Sequence, residues 1–185
     1  MTPILKIAIT GHTSGLGESL FNHFRQKGYT VEGFSRSNGY DLSNSESYQR
    51  IMQKIKFFDV FINNAHFGWS QVELLFLAFE LWKLQPKHII NISSNSSDGN
   101  KDFVHPYAVK KAALDKACEQ LNAVKEAHCR VTNLRPGWMD TKRASKINVN
   151  NDPKISPYEV TTVIDWIIRL PKSLHISTMS MTARD

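Results

Sequence analysis

Apolar residues in this chain fall into two alternating kinds of segment. Short, nearly continuous apolar runs occupy residues 4–10 ("ILKIAIT"), 29–35, 58–65, 88–94, 129–136 and 174–181. Runs of that length without polar alternation predict strands buried on both faces. Between them, segments 15–28, 41–56, 70–83, 107–127 and 156–171 carry apolar residues every three or four positions, the period of an amphipathic helix. Strand and helix alternate throughout, which predicts an α/β fold: one domain over residues 1–185, with a doubly wound, mostly parallel sheet of about seven strands and helices on both faces.

Local signals sharpen the element ends. Gly28 closes the first helix. Ser43 and Glu46 have the spacing of a capping box, and Ser156 and Glu159 repeat it, with Pro157 at the first helical position. Segment 70–83 ("SQVELLFLAFELWK") is apolar nearly all round, more than covering a sheet requires. Its second apolar face predicts a partner, most simply another copy in a homodimer or higher homo-oligomer.

Composition narrows the function classes. With 185 residues and 41% hydrophobic content the chain can bury one sizeable core. The net charge of +6 comes from Lys and Arg scattered along the sequence, which argues against nucleic acid as a partner but suits a nucleotide. Cys118 and Cys129 form no CxxC pair and read as reduced thiols in a cytoplasmic protein. The first ten residues lack the flanks of a signal peptide, and no apolar run is long enough to span a bilayer, so no membrane role is expected. His23, His88, His128 and His175 are scattered without ligand spacing, so no metal site is expected.

In a doubly wound sheet, ligands bind beyond the carboxyl ends of the strands, and the candidate motifs all lie there. "TGHTSGLG" leaves the first strand and enters a helix. Gly11, Gly15 and Gly17 allow a tight turn and close backbone approach, and the helix N-terminus favours a pyrophosphate. His12, inside this loop, reads as an exposed side chain. "YAVKK" places Tyr107 and Lys111 one helical turn apart on one face. A free phenol has a pKa of about 10, and lowering it by about three units requires roughly 4 kcal/mol, which a nearby ammonium and a cationic nicotinamide can supply. "NISSNSS" brings a serine hydroxyl to the same region, able to hold a substrate carbonyl in line. At the end of the second strand, where an NAD site places an acid for the ribose 2′-OH, the chain has Ser35 and Arg36. A hydroxyl and a guanidinium suit a 2′-phosphate instead, so NADP(H) is expected and NAD is the less favoured cofactor.

Together these residues resemble the short-chain dehydrogenase/reductase family, which has a Rossmann-like fold. "TGHTSGLG" is similar to its cofactor loop, "NNA" at Asn63, Asn64 and Ala65 to its strand-four motif, "YAVKK" to its Tyr-xxx-Lys pair and "RPGWMDT" to its Pro-Gly segment with a Thr, in the family's order. In that family the catalytic serine lies thirteen residues before the tyrosine, which selects Ser94 over Ser93. The resemblance implies an NADP-dependent oxidoreductase acting on a small carbonyl or alcohol substrate. Tyr107 is then the acid/base, Lys111 its electrostatic partner and ribose ligand, and Ser94 the carbonyl binder. It further implies cofactor contacts from Gly11, Thr13, Ser14, Gly15, Leu16 and Gly17 of the loop, from Asp41 and Leu42 beside the adenine, and from Asn63, Asn64 and Ala65. Pro136, Gly137, Trp138 and Thr141 would border the nicotinamide.

The chain departs from the pattern in three places. His66 stands where a glycine usually follows the Asn-Asn-Ala motif, the stretch from Asn64 to Ser93 is short, and the relay asparagine lacks a counterpart, with Gln71 and Ser70 the candidates to stand in. Phe67, Trp69, Phe103, His105, Trp138 and Met139 are expected as an apolar, aromatic pocket wall, and "KRASKINVNNDPKI" as a short lid over it. A non-catalytic dinucleotide-binding, redox-responsive protein is the alternative reading.

Overall fold

Each apolar run becomes one strand of a single parallel sheet in the computed structural model, which describes residues 4–99, 102–141 and 153–184. In chain order the elements are β1 (Lys6–Thr10), α1 (Gly15–Gln26), β2 (Thr30–Phe34), α2 (Ser45–Ile55), β3 (Val60–Asn63), α3 (Ser70–Trp82), β4 (His88–Ile92), α4 (Pro106–Asn122), β5 (Arg130–Pro136), α5 (Pro157–Ile168) and β6 (Thr178–Met181). The strand order is β2-β1-β3-β4-β5-β6 and every pairing is parallel. The described residues thus give six strands, where the sequence predicts about seven. The order reverses between β1 and β3, the crevice at which doubly wound sheets take ligands.

Alternation along the strands divides the core in two. Ile7 and Ile9 of β1, Ile62 of β3 and Ile90 of β4 pack against Leu20 and Phe24 of α1 and Ile164 of α5. Ala8, Phe61, Ile89 and Val131 face the other way, against Ile51 of α2, Leu74 and Ala78 of α3 and Leu114 of α4. Fully burying one such large side chain stabilises by about 1.5–3 kcal/mol, so both faces contribute comparably. α1 and α5 are also joined by Asp165, which is 2% exposed and meets Lys27 Nζ at 2.5 Å, Arg169 Nη2 at 3.1 Å and His23 Nε2 at 3.4 Å.

Several local expectations change. Asn44, not Ser43, caps α2 by accepting from the Glu46 backbone N–H, because the Ser43 N–H is taken by the Asp41 carboxylate in an Asx turn. The second capping box forms as read, with Ser156 and Glu159 bonding reciprocally. Gly28 lies just past α1 with φ +81°, a conformation glycine favours. α4 starts one residue early, at Pro106, and ends at Asn122, five residues short of the expected end. α3 is less two-faced than its sequence suggests: Val72, Leu77 and Leu81 are partly buried against the core and Phe76 remains exposed. Both cysteines are free and buried. Burial pushes the Cys118 thiol up, and the Cys129 thiol up to about 11, so both stay protonated.

Candidate active site

The glycine loop is anchored to the next strand over by a single threonine. Thr10 Oγ1 accepts from the N–H groups of Asn64 and Ala65, both at 3.0 Å, and the Asn64 side-chain amide donates back to the Thr10 carbonyl at 2.9 Å. Asn64 and Ala65 therefore leave β3 against the start of the loop. Gly11 and Gly15 have φ of +73° and +55°, which favours glycine. A Cβ at Gly17 would stand 2.1 Å from the Gly11 carbonyl oxygen, so the first turn of α1 packs directly on the loop backbone. Ser14 occupies the N-cap position without a side-chain cap bond, and Thr141 lies 3.5 Å from where a Gly15 Cβ would be. Loop, β3 end and Pro-Gly segment thus converge on the N-terminus of α1. Open helix N–H groups above a backbone with no room for side chains fit a pyrophosphate.

His12 is not the exposed loop side chain read from the sequence. Its ring lies over Gly33 and 4.9 Å from Phe21, where a Gly33 Cβ would clash at 2.1 Å. Burial lowers its pKa, offset in part by a hydrogen bond with the Phe34 backbone, so His12 is a packing group between the loop and β2.

At the other end of the crevice, Tyr107 lies in the first turn of α4, half-buried, and Lys111 one turn later is 3% exposed. Lys111 Nζ is 5.4 Å from the Tyr107 ring centroid and donates to the Gln71 Oε1 at 2.6 Å and the Ile92 carbonyl at 2.7 Å. The Ile92 bond holds the ammonium at the carboxyl end of β4, two residues before Ser94. Ser93 turns inward, buried, with its hydroxyl 3.5 Å from the Lys111 carbonyl. Ser94 is half-buried and its oxygen accepts from the N–H and hydroxyl of Ser96. Of the two serines, Ser94 is therefore the more accessible.

Behind Ser94 stands a polar brace. Ser97 donates to Asp115 Oδ2 at 2.6 Å, Arg135 meets the same carboxylate at 3.1 Å and Ser97 Oγ at 2.9 Å, and it also pairs with Asp98. The Pro-Gly segment touches this loop: Asn95 Nδ2 lies 2.9 Å from where a Gly137 Cβ would be. Pro136 is buried and Trp138 half-buried.

The expected aromatic wall forms only in part. His66 lies edge-on to Tyr107 with centroids 4.9 Å apart, and His105, its ring 6.1 Å from Tyr107, meets Phe103 in a tilted contact at 5.5 Å. Phe67, Trp69 and Phe103 are about half exposed or more, at 55%, 49% and 61%. Most of the expected lid, residues 142–152, lies outside the described residues.

The end of β2 carries the remaining candidates. Ser35 is buried in a tight turn, its hydroxyl facing Ser37 Oγ at 2.8 Å and Asn38 Oδ1 at 3.3 Å, while Arg36 is exposed. Asp41 has its carboxyl held low, first by hydrogen bonds from Ser43 and also by the Arg36 charge. Leu42 packs in the core, and its carbonyl accepts from the Tyr48 hydroxyl at 2.9 Å.

Two functional groups carry weaker sequence signals. Gln71, named only as a candidate stand-in, proves to be a direct partner of Lys111. It falls on the stripe of Leu74, Leu75, Ala78 and Trp82 along α3, so helical periodicity alone marks it as a buried amide. The brace of Asp115 and Arg135 has no local signal, since its members lie on α4 and β5.

Among the described residues no three His, Cys, Asp or Glu side chains gather as metal ligands, and no helix is long and apolar enough to cross a membrane. No protein-family model matches the sequence, and no curated protein matches it. Solved structures do match. A short chain dehydrogenase from Burkholderia cenocepacia in complex with NADP superposes with a TM-score of 0.82 at 20% identity, over 97% of this chain and 88% of that one. An alcohol dehydrogenase from the archaeon Thermococcus sibiricus complexed with 5-hydroxy-NADP gives 0.76 at 17% identity, over 97% of both chains. A 4-hydroxyisoleucine dehydrogenase complexed with NADH gives 0.78 at 19%, over 96% of this chain and 97% of that one. Strand order and these superpositions together establish that the chain has the fold of these dehydrogenases, a doubly wound, Rossmann-like parallel sheet.

Proposed function

We propose that the chain is an NADP(H)-dependent oxidoreductase that interconverts a small carbonyl compound and its alcohol. The observation that carries this reading is the buried Lys111 ammonium 5.4 Å from the Tyr107 ring, at the strand end that also presents Ser94. A lone phenol is a poor proton donor near neutrality. An ammonium in a partly dry site lowers the cost of the phenolate, because the attraction is screened less than in water. When bound, the nicotinamide supplies or takes the hydride. Tyr107 then gives its hydroxyl proton to the substrate oxygen during reduction and takes it back during oxidation, while Ser94 donates a hydrogen bond that orients that oxygen. The cradle of Gly11, Gly15 and Gly17 at the start of α1 holds the pyrophosphate. Arg36 reads the 2′-phosphate, which makes NADP(H) the preferred cofactor. The same reading includes a homodimer through α3 and α4, whose Phe76 and Val109 are exposed. A monomer mass by light scattering at micromolar concentration overturns that assembly.

The test of catalysis is NADPH consumption with a panel of ketones and aldehydes. Tyr107→Phe keeps the ring and removes the proton, so turnover should fall about 10²-fold or more with NADPH affinity near normal. Undiminished reduction by this variant removes Tyr107 from the acid's role. Tight NADPH binding with no turnover of any carbonyl by the wild type favours a non-catalytic dinucleotide binder instead.

A further inference from the structure

Gln71 is a buried amide whose hydrogen bonds all point at the active-site edge of the sheet. Its Nε2 donates to the carbonyls of Asn63 at 2.9 Å and Ile92 at 3.0 Å, and its Oε1 accepts from Lys111 Nζ at 2.6 Å. With both amide hydrogens committed to carbonyls, the oxygen can only face the ammonium, so the orientation is internally determined. The amide's own frame is fixed from behind. Asn63 Nδ2 donates to the Gln71 carbonyl at 2.8 Å and to Asn91 Oδ1 at 2.9 Å, which ties the first turn of α3 to β3 and β4. One side chain therefore registers two strand ends and the lysine together.

We propose that Gln71 is a positioning residue for Lys111, holding its ammonium at the end of β4 through an acceptor that adds no negative charge beside Tyr107. The inference rests on the acid/base reading of Tyr107. Its chemical content is the choice of amide over carboxylate. A glutamate at this position would grip the ammonium more strongly but would offset its field at the phenol, whereas an amide fixes geometry alone. Among the described residues, the titratable groups in ring contact with Tyr107 are Lys111 on its own helix, His66 after β3 and His105 before α4. Neither histidine contacts Gln71 through any of its hydrogen bonds above, so a change at Gln71 reaches the phenol by way of Lys111.

The experiment titrates Tyr107 directly by tyrosinate difference absorbance in the protein without added cofactor. Each protein is compared with its Tyr107→Phe counterpart to subtract the other tyrosines of the chain's five. Wild-type Tyr107 should titrate below the ordinary phenol value of about 10. Gln71→Glu should raise that value by about one pH unit or more, and Gln71→Met, apolar and of similar length, by a smaller amount. The alkaline shift should reappear in the pH profile of alcohol oxidation. A wild-type value that is low and unmoved in both folded variants overturns the inference and leaves the acid/base reading standing. A wild-type Tyr107 that titrates at the ordinary value overturns that reading and the inference with it. Should the carboxylate variant fail to fold, the methionine variant alone decides between the same outcomes.

Discussion

Among the described residues two charged side chains, Asp165 and Lys111, are buried almost completely, and their hydrogen-bond partners differ in kind. Asp165, at the α1–α5 contact, is met by Lys27, Arg169 and His23. Lys111, at the carboxyl edge of β4, donates to the oxygens of an amide and a peptide group. Burying a charge costs several kcal/mol unless it is paired or hydrogen-bonded, and each site meets that demand differently. Opposite charges at Asp165 cancel its field and join two helices, a structural use. At Lys111 an amide oxygen and a peptide carbonyl, both neutral dipoles, hold the ammonium in place, which suits a group whose field must act on a neighbouring phenol. The contrast teaches that the partner chosen for a buried charge, and not the burial itself, separates a fastener from a working group.

The contrast is broken most directly by exchanging the readouts. Lys111→Met should lower turnover about 10²-fold or more and weaken NADPH binding, while thermal stability changes little beyond the cost of two unpaired acceptors. A variant that unfolds yet keeps full activity when folded would make Lys111 the fastener. Asp165→Asn should do the reverse, leaving activity per folded molecule intact while destabilising by about 2 kcal/mol, a figure reduced because Lys27 and Arg169 are half exposed. Burial alone would raise the Asp165 carboxyl, but hydrogen bonds from Lys27 and Arg169 and their charges outweigh it and hold its pKa low. A carboxyl held low contributes stability that is complete above its unfolded value of about 4 and is lost as pH falls through the folded value. Denaturant unfolding of wild type and variant should therefore converge on acidification, and a gap that persists unchanged to low pH contradicts the ion-pair account.

The smallest effect belongs to the exposed charge, Arg36. Without burial it has neither role, and it is expected to act only on ligand choice: wild type should favour NADPH over NADH roughly ten- to a hundredfold, and Arg36→Ala should mainly erase that ratio with stability unchanged. Titration of both cofactors against both proteins reads it. Equal affinities in the wild type, or an unchanged ratio in the variant, show that Arg36 does not read the phosphate.

Much of this architecture is legible without coordinates. The six apolar runs and their intervening helical periods specify the alternating α/β order, because a strand buried on both faces tolerates no polar alternation and its covering helices need one apolar stripe each. The glycine spacing announces the loop, and the one-turn spacing of Tyr107 and Lys111 is a property of any helix. Element ends were less legible where two polar residues compete. The Asp41 turn diverts Ser43 from capping α2, and neighbouring residues alone do not reveal which oxygen wins.

What tertiary structure decided are the relations between elements far apart in the chain. Sequence identifies Gln71 as a polar residue on an apolar stripe, but only the parallel pairing of β3 with β4 brings the Asn63 and Ile92 carbonyls to its amide and Lys111 to its oxygen. It marks Asp165 as a helical acid with Arg169 one turn on, yet the packing of α5 on α1 supplies Lys27 from 138 residues away. Local periodicity and turn chemistry act over a few residues, so they can be read along the chain. The partner of a buried polar group is chosen by whichever distant backbone the sheet order places beside it, and that choice exists only once the whole sheet has assembled.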